Sequence, residues 1–328
     1  MKILFIGGTG NISRSVSQLC VELGHDLWLL NRGTTGVDIP GANVITGNIN
    51  APETAAALAA HEWDVVVNWI AFRPVDIERD IRLFAGKTGQ YIFISSASCY
   101  QKPLQQPIVT ESTPLKNPFW QYSRDKIACE DRLTEAYRQA DFPMTIVRPS
   151  LTYDTVIPVA LGGWTEYTII DRIKKGQPIV VHGDGTSLWT ITHARDFARG
   201  FVGLLGRAQA IGEAFHITSD ELLTWNQIYE AVAAAAGRDA HIVHIASDFI
   251  CQLYPDQTGS LLGDKAYSAI FDNSKVRRLV PDFVATIPFA VGIQETVAWF
   301  EADPARMLIR PETNEMLDKL IEAYEAKG

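Results

Sequence analysis

The segment Lys2-Ile-Leu-Phe-Ile6, followed by Gly7-Gly8-Thr9-Gly10-Asn11-Ile12-Ser13, constrains this chain more than any other. An apolar run ended by glycines reads as a buried parallel strand. From Ile12 the apolar spacing turns helical, through Val16, Leu19, Cys20 and Leu23, with Gly24 as the stop. Strand, glycine-rich turn and helix in this order form the fingerprint of a dinucleotide site. Gly7 allows the sharp turn and Gly10 lets the backbone approach a pyrophosphate. Free N–H groups and the positive helix end then hold the phosphates. Thr9, Asn11 and Ile12 complete the expected cradle. Ser13 takes the place of the usual third glycine and is small enough for helix and strand to pack.

Later strand ends extend the same site. Asp26-Leu-Trp-Leu-Leu30 runs into Asn31-Arg32-Gly33, where a residue would face the adenosine ribose. An acid there suits NAD, whereas an arginine accommodates a 2′-phosphate. Asn31 is uncharged and Arg32 follows it, so NADP is expected ahead of NAD. Thr46-Gly-Asn48 and Val65-Val-Val-Asn68-Trp-Ile-Ala71 read as the third and fourth strand ends. Asn48, Ile49, Asn68, Ile70 and Ala71 are the cofactor contacts expected from them.

Tyr91-Ile-Phe-Ile-Ser95-Ser96-Ala97-Ser98-Cys99-Tyr100 reads as a fifth buried strand that brings serines to the carboxyl edge of the sheet. Ligands of open α/β sheets bind at that edge. Ser95 is assigned to the cofactor and Ser98 to the substrate. A helix over Tyr122–Leu133 places Tyr122 and Lys126 four residues apart on one face. An ammonium beside a phenol favours the phenolate and should draw its pKa down from about 10. Tyr122 would then exchange a proton with a hydroxyl or carbonyl whose carbon exchanges hydride with a nicotinamide, and Ser96 would hydrogen-bond the same oxygen.

These features resemble the short-chain dehydrogenase/reductase superfamily, in its extended branch of sugar epimerases, dehydratases and reductases. The resemblance covers most of the chain. It rests on the glycine-rich turn, Ser96-Ala-Ser-Cys-Tyr100, Tyr122-x-x-x-Lys126, Arg148-Pro149-Ser150-Leu-Thr-Tyr153, Gly183-Asp184-Gly185 and Thr192-His193-Ala-Arg-Asp196-Phe-Ala198. It implies a catalytic set of Ser96, Tyr122 and Lys126, with Lys126 also on the nicotinamide ribose and the backbone at Pro149 bordering the nicotinamide. Ser150 and Tyr153 follow as substrate contacts. Two departures narrow the reaction. Family dehydratases carry Thr-Asp-Glu where this chain has Ser96-Ala97-Ser98, so dehydration lacks its acids. Nucleotide-sugar enzymes carry an arginine past Gly-Asp-Gly where this chain has Trp189. An aromatic ring stacks on a sugar but does not clamp a diphosphate. The expected substrate is therefore a smaller carbohydrate or polyol, with Trp189 against it. A nucleotide-sugar 4-epimerase is the alternative within the class. Outside it, relatives of this branch that bind RNA or sense NADP keep the same fold without catalysis.

The rest of the chain sets limits. With 328 residues, 47% hydrophobic, it has ample material for a core. A net charge of −9 argues against a nucleic-acid surface, which needs clustered Lys and Arg. Cys20, Cys99, Cys129 and Cys251 lack Cys-x-x-Cys spacing, so no metal site is expected and a reducing compartment fits. The first residues read as a strand rather than a signal peptide, and no apolar run approaches ~18 residues. A cytoplasmic protein without membrane partners is expected, and a homodimer is left open. The anticipated architecture is a doubly wound parallel sheet over 1–154, completed by 187–219. A smaller substrate lobe, interleaved with it, would be formed by 155–186 and 220–328.

Overall fold

The computed structural model describes residues 1–34 and 36–326. Its first half alternates strand and helix: β1 (Lys2–Ile6), α1 (Ser13–Glu22), β2 (Asp26–Asn31), β3 (Asn43–Thr46), α2 (Pro52–Ala59), β4 (Trp63–Asn68), α3 (Pro74–Phe84), β5 (Thr88–Ile94) and α4 (Gln121–Ala140). The strands Met144–Val147 and Ala214–Phe215 complete a seven-stranded sheet in the order Ala214–Phe215, Met144–Val147, β5, β4, β1, β2, β3. Every pairing in it is parallel. Chain order reverses between β1 and β4, so a crevice opens there at the carboxyl ends of the strands.

Alternation along each strand explains why these segments read as unbroken apolar runs. Ile3 and Phe5 face Val16 and Cys20 of α1 together with Phe197 and Phe201. Leu4 and Ile6 face the other way, against Leu58, Ile77, Phe84 and Leu133. Both faces are thus covered, and each fully buried side chain of this size stabilises the layer by about 1.5–3 kcal/mol. Helix ends follow local chemistry. Pro74 opens α3, and the Asp76 carboxylate accepts from the backbone N–H groups of Phe72 and Arg73 at 3.0 and 3.1 Å. α4 ends at Asp141 in the left-handed conformation.

Beyond Tyr153 the rhythm breaks. Short strand pairs, Leu151–Tyr153 with Ile191–His193 and Ile179–His182 with Ile242–Ile245, join helices Trp225–Ala235, Phe289–Glu301 and Pro311–Glu325 around a separate apolar cluster. Val276 and Phe283 pack instead against the face of the main sheet that α1 covers. Residues 97–100 form a tight turn after β5 rather than extending it. No helix among the described residues is long and apolar enough to cross a membrane.

Candidate active site

The reversal point carries a cleft of about 710 Å3, walled on one side by the glycine-rich turn and on the other by the lobe. Gly7 and Gly8 take φ of +94° and +109°, a region that L side chains rarely adopt. A Cβ at Gly8 would lie 2.7 Å from the Leu29 side chain. The turn can therefore pass this close to the sheet only with glycine. α1 begins at Ser13 with no side-chain cap, which leaves first-turn N–H groups for an anion. Gly10 N–H is used internally, donating to Ser13 Oγ at 2.9 Å. Asn11 donates to the Thr152 carbonyl at 2.8 Å, while its buried Oδ1 has no partner. An uncapped helix start, a left-handed glycine turn and an orphaned amide oxygen on one cleft wall fit a dinucleotide. A smaller recess of about 140 Å3 adjoins, lined by Asn31, Arg32, Asn48, Ile49 and Ile70 and sharing Gly7, Thr9 and Ile70 with the main cleft. Its position past β2 and β3 suits the adenosine end.

Ser95, Ser96, Ser98, Tyr122, Lys126, Pro149 and Ser150 line the main cleft, as do Gly7, Thr9, Gly10, Asn11, Ile12 and Trp189. The serines are held in a chain of hydroxyls. Ser123 Oγ donates to Ser98 Oγ at 2.7 Å, and Ser98 and Ser96 share a hydrogen bond of 2.9 Å. Lys126 Nζ donates to the carbonyls of Ala71 and Ile94, each at 2.7 Å, and lies 5.8 Å from the Tyr122 ring centre. Its burial lowers the ammonium pKa to about 8.

Tyr122 differs from the sequence expectation. Desolvation pushes the phenol up to about 12, and a hydrogen bond with Ser96 offsets only part of that. Lys126 is occupied by two carbonyls instead of facing the hydroxyl. Tyr122 is therefore a protonated phenol at neutral pH.

Three expected contacts lie off the cleft lining. Asn68, the last residue of β4, turns into the protein and donates to Asp80 at 2.5 Å, while its Oδ1 accepts from the Ile70 N–H at 2.8 Å. It shapes the loop rather than meeting a ligand. Ala71 is buried and contributes its carbonyl to Lys126. Tyr153 is fully buried, edge-on to His193 and Phe289, because residues 151–153 pair with 191–193 and send alternate side chains into the lobe core. Its hydroxyl has no partner there.

The sequence reading also missed part of the site. Trp69, Phe72, Trp120, Val156, Thr165, Asp264 and Lys265 line the cleft, but they come from separated segments with no shared motif. Behind it lies a buried network. Arg148 donates twice to Glu130 of α4, from Nε at 3.0 Å and Nη2 at 2.6 Å, and once to Tyr100 Oη at 3.3 Å. Ser95 also donates to Glu130, and Tyr100 hydrogen-bonds His216 at 3.0 Å. The helix bearing Tyr122 and Lys126 is thereby fixed to β5 and to the strand Met144–Val147. Glu130, on α4 one turn past Lys126, was the available signal: a buried Arg148 requires a carboxylate.

Comparison with known proteins bears on the family and the fold. The model of the NAD dependent epimerase/dehydratase family matches residues 3–218. The 2′-dehydrokanamycin reductase of Streptomyces kanamyceticus is 25% identical over 290 residues, 86% of this chain and 80% of that protein. The chloroplast stem-loop binding protein of 41 kDa b of Arabidopsis thaliana is 27% identical over 264 residues, 74% of this chain and 65% of that protein. Among solved structures, dTDP-glucose 4,6-dehydratase from Bacillus anthracis, in complex with NAD, superposes with a TM-score of 0.72 at 19% identity. It covers 93% of this chain and 98% of that one.

Proposed function

The chain belongs to the NAD dependent epimerase/dehydratase family, and from that premise we propose that it is an NADP-preferring oxidoreductase or epimerase acting on a hydroxyl-bearing carbon of a carbohydrate or polyol. One observation carries the reading: Ser96, Tyr122 and Lys126 line the same cleft as the glycine-rich turn. When bound, the nicotinamide exchanges hydride with the substrate carbon. Gly7 and Gly10 would let the pyrophosphate approach the start of α1, which would hold it, and Arg32 at the adenosine recess would meet a 2′-phosphate.

Tyr122 acts on the oxygen. Its hydroxyl is the group placed to give a proton to a carbonyl oxygen in the reductive direction, against the burial that makes the free phenol a weaker acid. Ser96, held by Ser98 and Ser123, hydrogen-bonds the same oxygen and keeps it against Tyr122. Lys126 places a positive charge below the ring and stabilises negative charge developing there. Trp69, Phe72 and Trp120 add apolar rings to the cleft lining. Elimination of water is not supported, because Asp264 is the sole carboxylate among the described residues that line the cleft, and two lysines engage it.

The test is to identify any cofactor retained on purification, then to follow reduced nicotinamide with NADP and NAD over a panel of sugars and polyols. Polyol-dependent reduction of NADP is expected. A protein that binds no dinucleotide ends the reading. The stem-loop binding relative supplies the rival: RNA recognition on the same fold. A net charge of −9 weighs against it. Retention of stem-loop RNA in a gel shift at moderate salt would favour the rival.

A further inference from the structure

The cleft ends, away from the glycine-rich turn, in a chamber with an unbalanced charge. Trp120, Trp164 and Trp189 wall it, and Asp264 and Lys265 line it. Lys265 is 4% exposed. Its Nζ lies 3.7 Å from Asp264 Oδ2, and 6.0 and 5.9 Å from the ring centres of Trp120 and Trp164. Lys102, also buried, approaches Asp264 from the other side, with its Nζ 3.6 Å from Oδ1 and 3.3 Å from the backbone carbonyl. Two ammonium groups thus share one carboxylate. Lys102 donates to the Asp264 segment and lies behind the lining. Lys265 approaches the same carboxylate at a similar distance, but it lines the cleft.

A buried charge without a full partner is costly. The backbone nevertheless holds it in place: the Lys265 carbonyl accepts from Trp225 Nε1 at 3.2 Å and is in contact with His182 Nε2 at 3.1 Å. The Trp120 ring centre is also 5.0 Å from that of Tyr122, so Trp120 neighbours both the ammonium and the phenol.

Resting on the carbohydrate reading above, we propose that Lys265 anchors the carboxylate of an acidic monosaccharide, a uronate or aldonate, whose hydroxyl-bearing carbon then lies at Tyr122. The net excess is one positive charge, which a monoanion balances. A phosphate ester brings nearly two negative charges and would meet Asp264 with only one cation facing it. The tryptophans stack on the C–H faces of the sugar, and Trp189 also has a buried indole N–H without a partner. Burial lowers the pKa of the ammonium and Asp264 raises it again; a bound carboxylate would raise it further.

Calorimetric titration of the dinucleotide-loaded protein tests this. The probes are glucuronate, galacturonate and gluconate, with glucose and galactose as neutral counterparts and glucose 6-phosphate as the phosphate arm. At least one acid is expected to bind about tenfold or more tighter than its neutral counterpart and than the phosphate ester. Lys265→Met should shrink that preference below about threefold, and Lys265→Arg should keep most of it, since guanidinium also pairs with carboxylate. Neutral sugars binding as well as the acids overturn the anchor while leaving the carbohydrate reading standing. Tightest binding of the phosphate ester overturns the carboxylate assignment. Failure of every sugar to bind a protein that still holds its dinucleotide overturns both.

Discussion

The two walls of the cleft are built by different means. The cofactor wall is mostly backbone: glycines at positive φ, an uncapped helix start and the ends of successive strands. The substrate wall is mostly side chain: Trp120, Val156, Trp164, Trp189, Asp264 and Lys265, spread over about half of the chain. A backbone-built wall recognises what every dinucleotide shares. A side-chain wall can be rebuilt residue by residue, which is where members of one family come to differ in substrate.

Substitution tests how separable the walls are. Tyr122 stands between them, so Tyr122→Phe should lower turnover by about 10²–10⁴-fold and leave dinucleotide affinity within about twofold. Surviving turnover would remove the proton-transfer role, and lost dinucleotide binding would show that the walls are not separable. Arg148→Met leaves Glu130 buried without its partner and should cost about 3–5 kcal/mol of folding stability, read by denaturant unfolding. An unchanged midpoint would mean that the network does not hold α4.

A smaller effect concerns Lys126. Its pKa falls to about 8 in the folded protein from an ordinary 10.5. Between those values the unfolded chain binds a proton at this site that the folded chain has released, so stability rises with pH. The stability of the dinucleotide-free wild type relative to Lys126→Met should therefore be level below pH 8 and increase by ~1–3 kcal/mol toward 10.5. A flat difference would show that burial does not burden the ammonium. The smallest effect belongs to a charged side chain at the adenosine recess. Arg32→Ala should weaken NADP about five- to tenfold and NAD by less than twofold. Equal losses would remove Arg32 as a phosphate contact.

The same contrast explains what could be read from the amino acids alone. Gly7 to Ser13 and Tyr122 with Lys126 are local patterns, in which turn geometry or helical spacing dictates the neighbours; so are the strands that carry them. Lys265 gives no such signal, because its importance comes from Trp120 and Trp164, far away in sequence. Asn68 and Tyr153 mislead for a related reason. Position at a strand end brings a residue near the crevice, but the side on which its chain projects depends on packing partners such as Asp80, His193 and Phe289. The raised phenol of Tyr122 was likewise hidden, since spacing gives proximity to Lys126 but not the two carbonyls that occupy it.

The Glu130–Arg148 pair has a consequence on the timescale of descent. Either residue alone is a burden, since each leaves the other as an isolated buried charge, yet neither is placed to touch the substrate. A lineage that changes its substrate can therefore vary Trp164 or Trp189 in single steps, whereas the support under the helix bearing Tyr122 can change only by a double replacement. Such a constraint makes the chemistry heritable while the substrate drifts.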